Sequence, residues 1–189
     1  MQVKKTRLDG VLILTPRKVQ DARGFFVETF NRHKYFEAGI AAHFVQDCQS
    51  CSIREGTIRG LHFQRPPHSQ AKLVRVIRGS IFDVAVDLRI GSPTFGAWVA
   101  ERLSAAGGEQ LFVPHGFAHG FCTLEANTEV AYKIDGLYSA DCESGIIWND
   151  PTLNISWPIT SSITLSNNDR ELPTFDMLRS PFMFEYSSG

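Results

Sequence analysis

Between Ile58 and Lys72 the chain reads IRGLHFQRPPHSQAK, and among its basic residues Arg59, His62 and Lys72 are groups of different character. Arg59 can grip a phosphate through its planar fork, His62 titrates near neutrality, and Lys72 is a compact cation. Together they suggest proton chemistry on an anionic substrate. The Pro66-Pro67 corner lies between two stretches that both read as β-strands. A strand on each side of that corner would mount the basic groups on rigid elements and converge them on one cavity. The apolar run from Leu73 to Leu88 is expected to wall it.

Other residues extend the chemistry. Tyr132, between Ala131 and Lys133, reads either as an amphipathic core residue with its hydroxyl at the rim or as a general acid facing the base. Asp169, in LSNNDRELP, is by default a turn or cap residue; as a functional group it would accept the second imidazole N–H and fix the tautomer of His62. His115 and His119 raise a metal site, but His62 has neither a close carboxylate nor a closely spaced histidine beside it. Cys48 and Cys51 form a C-x-x-C inside VQDCQSCSI, which reads as extended. In a strand, residues three apart point to opposite faces, so the two thiols would not converge. Reduced, mostly buried thiols are expected.

The elements that must position these groups are mostly strands. GFFVETF (24–30) follows a turn, and NRHKYFEAGI (31–40) reads as a short helix opened by Asn31 and closed by Gly39. LVRVIRG and SIFDVAVDLR predict a hairpin turning at Arg78-Gly79-Ser80. In its second arm Phe82, Val84, Val86 and Leu88 share a face opposite Asp83, Ala85 and Asp87. AWVAERLS, LFVP, FAHGFCTL and TEVAYKIDGLY continue in short segments broken by Gly and Pro. This pattern, without βαβ alternation, predicts a β-sandwich or small barrel. The chain reads as one domain over 1–189, with 145–189 a largely irregular extension wrapping the barrel.

A net charge of −1, from 19 basic and 20 acidic residues, gives no electrostatic reason to bind nucleic acid or an anionic membrane. No apolar stretch approaches the ~18 residues needed to span a bilayer. The run Val11–Leu14 is shorter than the core of a secretory signal, so a cytoplasmic location is expected.

Longer motifs carry a resemblance. D-A-R-G-F-F-V-E-T-F, F-V-Q-D-C-Q-S, R-G-L-H-F-Q-R-P-P, Q-A-K-L-V-R-V, D-V-A-V-D-L-R, G-S-P-T-F-G, P-H-G-F-A-H-G-F and W-N-D-P occur in this order between Thr6 and Pro173. The set resembles the dTDP-4-dehydrorhamnose 3,5-epimerases. That resemblance implies an all-β, cupin-type double-stranded β-helix (jelly roll) with a few short helices near the N- and C-terminal regions. It implies His62 as the base, Tyr132 as the acid, Asp169 paired to His62, and Lys72 stabilising an enolate. Arg23, Glu28, Gln46, Asp47, Cys48, Arg59, Lys72, His119, Glu143 and Asn168 fall at substrate positions, with Phe25 and Tyr138 as covers for the thymine. It also implies a homodimer whose N-terminal strands, carrying Arg23 and Glu28, complete the partner's site, and no metal or organic cofactor.

Two positions depart from the family pattern. Cys48 stands where the family often has Asn, and Asn168 in Ser166-Asn167-Asn168-Asp169 where it usually has Lys. The implied reaction is epimerisation at C3 and C5 of dTDP-4-dehydro-6-deoxy-D-glucose. The alternatives are a mono-epimerase acting at C3 or C5 on a dTDP- or other nucleotide-linked ketosugar, a non-catalytic carbohydrate-binding cupin, and a metal-dependent cupin enzyme.

Overall fold

Short alternating segments pair edge to edge here because few of them could bury an apolar face alone. The computed structural model describes residues 1–159 and 161–185. Its strands are β1 (Gln2–Lys5), β2 (Leu12–Thr15), β3 (Lys18–Asp21), β4 (Gly24–Val27), β5 (Gln46–Ser52), β6 (Ile58–Gln64), β7 (Lys72–Arg78), β8 (Ser80–Asp87), β9 (Trp98–Ser104), β10 (Gln110–Val113), β11 (Phe117–Thr123), β12 (Thr128–Ile134) and β13 (Glu143–Gly145). One antiparallel sheet has the order β1-β2-β10-β7-β12-β5 and a second β13-β6-β11-β8-β9, while β3 and β4 form a separate ribbon. This is the all-β architecture expected of a jelly roll.

Three apolar layers hold it together. Val74, Val76 and Val130 of the first sheet meet Ile81, Ala85, Val99 and Phe121 of the second in the interior. Outside the second sheet, Val84, Val86, Leu88 and Ala118 are covered by Ile146, Leu153, Ile155, Trp157 and Phe182. Outside the first, Tyr35 and Ile40 pack on Leu12, Leu14, Leu73 and Phe112. Full burial of each valine, leucine, isoleucine or phenylalanine among them stabilises by about 1.5–3 kcal/mol relative to exposure.

The short helix α1 (Arg32–Glu37) forms as expected. The Asn31 side chain accepts from the Lys34 N–H at 3.2 Å, and Gly39 leaves the helix at φ +92. The strand expected over 24–30 stops at Val27, because Glu28 turns to pair with Lys34 and the Thr29 carbonyl accepts from Tyr35 and Gln110.

The hairpin expected over Leu73–Arg89 does not form. β7 pairs with β10 and β12, whereas β8 pairs with β11 and β9, so the chain crosses between sheets at Gly79. Gly79 has φ +79, and a Cβ there would lie 2.3 Å from the Thr128 hydroxyl oxygen. The acidic side of β8 is as buried as its apolar side, with Asp83 and Asp87 both at 0 % exposure. Beyond Gly145 the path is irregular apart from α2 (Asn167–Arg170) and a 3-10 turn at Phe175–Met177. Positions 160 and 186–189 of the expected extension lie outside the described residues.

Candidate active site

A bulge decides how the basic groups meet. β11 pairs with β6 through His119↔His62 and then Phe121↔Arg59, so three steps on β6 match two on β11. The extra residue brings Arg59 and His62, which a regular strand would point apart, to one cavity. Gly60 lies inside the bulge at φ +117, and a Cβ there would fall 2.6 Å from the Cα of Gly120. Only glycine permits this approach without moving a strand.

The cavity is about 590 Å³, within the usual range for small-molecule sites. The second sheet contributes Arg59, His62, His119 and Glu143; the first contributes Cys48, Ser50, Lys72 and Tyr132. Asn168 and Asp169 reach it from α2. Ile58, Phe63, Phe121, Ile134 and Leu165 form its apolar wall. The run Leu73–Leu88, expected to be that wall, is divided among the three packing layers instead.

His62 Nε2 lies 2.6 Å from Asp169 Oδ1, with the carboxylate side chain only 5 % exposed. Burial pushes the Asp169 carboxyl up, but the His62 hydrogen bond and charge, with contacts from Ser166 and the Gly60 backbone N–H, together hold it below its ordinary value. Stability from this carboxylate is therefore present above the ordinary carboxylate range and lost as pH falls through its lowered value. The pair fixes the imidazole orientation, and its tautomer follows from which ring nitrogen faces the carboxylate.

His119 Nε2 makes a second such contact, 2.7 Å to Asp83 Oδ1. The other oxygen, Asp83 Oδ2, is buried without a hydrogen-bond partner, and the Asp83 charge reaches Lys72. Burial pushes the Lys72 ammonium down to about 8, against the opposing charges of Asp83 and Glu143. The Tyr132 phenol is pushed up to about 12 by burial, with Ser50 and Arg59 acting the other way. It therefore keeps its proton at neutral pH. His115 goes elsewhere, 2.8 Å to Asp135 Oδ2, so the two histidines considered for a metal serve different carboxylates.

The remaining expected positions divide. Tyr138 lines the cavity and donates to Glu143 Oε2 at 2.7 Å. Arg59 donates through Nε to Ser52 at 3.2 Å and through a terminal nitrogen to the Cys51 carbonyl, leaving other N–H groups for a ligand. Gln46 is outside the lining but donates its amide to Cys48 Sγ at 3.0 Å. Asp47 points from the opposite face of β5, where it meets Lys133 at 2.8 Å. Arg23, Glu28 and Phe25 sit apart on and beside the β3–β4 ribbon, Arg23 on Asp21 and Glu28 on Lys34. Ser50 and Asp83 are site groups that sequence reasoning did not single out. The acidic face of β8 was the available signal for Asp83, but not its inward direction.

An oriented imidazole and a protonated phenol on opposed sheets of a jelly roll, with an ammonium between them in sequence and beside them in space, define a proton-transferring isomerase. Comparison with known proteins narrows this class. The family profile of dTDP-4-dehydrorhamnose 3,5-epimerase matches residues 5–177. A dTDP-4-dehydrorhamnose 3,5-epimerase of Sinorhizobium fredii is 49% identical over 187 residues, 98% of this chain and 94% of that protein. The Bacillus anthracis dTDP-4-dehydrorhamnose 3,5-epimerase, solved with TDP and PPi bound, superposes with TM-score 0.89 at 51% identity, covering 92% of this chain and 98% of the other. A Legionella pneumophila dTDP-6-deoxy-D-glucose-3,5-epimerase in complex with dTDP-4-keto-L-rhamnose gives TM-score 0.94 at 40% identity, covering 98% and 99%. The chain belongs to the dTDP-4-dehydrorhamnose 3,5-epimerase family.

Proposed function

We propose that the chain epimerises C3 and C5 of dTDP-4-dehydro-6-deoxy-D-glucose to give dTDP-4-dehydro-L-rhamnose, with His62 as base and Tyr132 as acid. The observation that carries this assignment of roles is the 2.6 Å His62–Asp169 pair in the same cavity as Tyr132, the two rings coming from opposite sheets. The C4 ketone acidifies the hydrogens at C3 and C5. His62 removes one, and the C–H electron pair moves into the ketone to leave an oxyanion. Lys72 and His119 supply positive charge or a donor to that oxygen. Tyr132 then delivers its proton to the opposite face of the carbon, and the configuration inverts. The His62 proton passes to cavity water and the phenolate takes one back, so the net proton balance is zero.

Arg59 suits the diphosphate, and Tyr138, which lines the same cavity, would cover the thymine. Asn168 contributes an amide to the cavity without a charge. A homodimer is part of this reading: Phe25 and Phe26 are 61% and 72% exposed on the outlying ribbon, which also carries Arg23. Exposed aromatics so placed fit a contact with a second copy whose site Arg23 and Glu28 would complete. The four cysteines are free, which fits a reducing compartment, but Cys122 alone is buried and Cys51 is exposed where mostly buried thiols were expected. Among the described residues no helix is long and apolar enough to cross a membrane.

Incubation with the ketosugar nucleotide in heavy water tests the reaction. Deuterium is expected at both C3 and C5 by NMR. Label at one carbon would identify a mono-epimerase, and a folded protein that introduces none would point to a binding module or another nucleotide.

The pH dependence follows from Lys72. Its cation is the useful form, so kcat/KM is expected to fall as pH rises through about 8, while Tyr132, at about 12, still holds its proton. Lys72→Arg should remove that alkaline limb. Stability runs the other way: between about 8 and the unfolded value of 10.5 the unfolded chain binds more protons at this group, so its contribution to stability rises with pH.

A further inference from the structure

The Tyr132 hydroxyl lies 2.8 Å from Ser50 Oγ, and either oxygen can be the donor. Which one donates matters. A phenol has one proton, and a phenol that spends it on Ser50 has none aimed at a substrate carbon.

The two residues are diagonal neighbours on one face. Tyr132 on β12 pairs in register with Cys48 on β5, and Val130 with Ser50. Both Ser50 and Tyr132 line the cavity. The phenol ring packs against the interior layer, with its centroid 6.3 Å from that of Phe121. Packing therefore fixes the ring, and the direction of the O–H bond is left to the hydrogen bond at its oxygen.

We propose that Ser50 is a positioning residue for the acid: its hydroxyl donates to the Tyr132 oxygen, turns the phenol's own proton toward the substrate, and stays to stabilise the phenolate after transfer. This rests on the epimerase reading and on Tyr132 as its acid. In the step itself the Tyr132 O–H bond breaks and a C–H bond forms at C3 or C5 from the enolate electron pair. Ser50 keeps its proton throughout. A phenolate in this setting has few other ways to disperse its charge, since burial already opposes it and Arg59 acts without a direct bond. Two successive inversions require the phenolate to form twice, so a donor that remains in place serves both turns.

The test compares Ser50→Ala with the near-isosteric pair Ser50→Thr and Ser50→Val, which differ by a hydroxyl against a methyl at a strand position that tolerates β-branching. Each folded variant is incubated with dTDP-4-dehydro-6-deoxy-D-glucose in heavy water, and NMR follows two rates: proton exchange at C3 and C5, and inversion there. Deprotonation by His62 does not need Ser50, so exchange should stay within about threefold of wild type. Inversion should slow by about tenfold or more in Ser50→Ala and Ser50→Val, the loss expected for one hydrogen bond to a developing charge. Ser50→Thr should restore the exchange-to-inversion ratio. An unchanged ratio in the variants lacking the hydroxyl, or exchange and inversion falling in proportion, would overturn the assignment and leave the epimerase reading standing. A wild-type protein that neither exchanges nor inverts would remove that reading, and this one with it.

Discussion

His62→Ala should abolish both halves of the reaction together. General acid–base catalysis by a positioned side chain contributes about 10²–10⁴-fold, so epimerisation should fall into that range below wild type or past detection. Solvent exchange at C3 and at C5 should disappear in parallel, because the cavity offers one Asp-oriented imidazole with its side chain 34% exposed, while the other, His119, is 5% exposed. The variant also leaves Asp169 buried without its 2.6 Å partner, at a cost of about 1–3 kcal/mol in stability. A lower Tm with loss of exchange is therefore the expected pair of results. Exchange persisting at either carbon in the folded variant would assign a second base to that carbon.

Tyr132→Phe should separate what His62→Ala loses together. The ring and its packing on Phe121 remain, and the hydroxyl alone goes. Proton abstraction should continue and deuterium should enter, but inversion should drop by about 10²–10³-fold because no protonated group is left to deliver from the far side. Ser50 loses its 2.8 Å partner but lies in a cavity where water can replace it. Chromatographic or NMR analysis of product stereochemistry beside label content reads both quantities in one sample. Inversion of both centres at the wild-type rate would remove Tyr132 from the acid's role.

Much of the architecture could be read from alternation and turn residues, and its errors share a cause. Arg78-Gly79-Ser80 has the composition of a tight hairpin turn, yet the same residues also suit a corner between sheets. What decides is the distant competition for edges, in which β10 and β12 take β7 while β9 and β11 take β8. The strand at 24–30 ended early for the same kind of reason, drawn off by Lys34, Tyr35 and Gln110. In the site, His62, Lys72 and Tyr132 were legible as chemical types, whereas the pairing of His62 with Asp169 spans 107 positions and no local spacing encodes it. Ser50 was invisible because a serine on an alternating edge strand looks like a solvent-facing residue. That Arg59 and His62 share a cavity was expected, but not the device that allows it, the bulge at Gly60 that reverses the ordinary parity of the strand.

The carboxylate that pairs with His62 is supplied by α2, late in the chain, and Ser166 caps that turn at 3.0 Å. During synthesis, a ribosome that has delivered both sheets has yet to deliver the residue that aims the imidazole. On the proposed roles, turnover is expected only once that segment has docked and Asp169 meets His62. A nascent or clipped product lacking it would lose both the partner of His62 and the apolar cover that Leu153, Ile155, Trp157 and Phe182 give the second sheet.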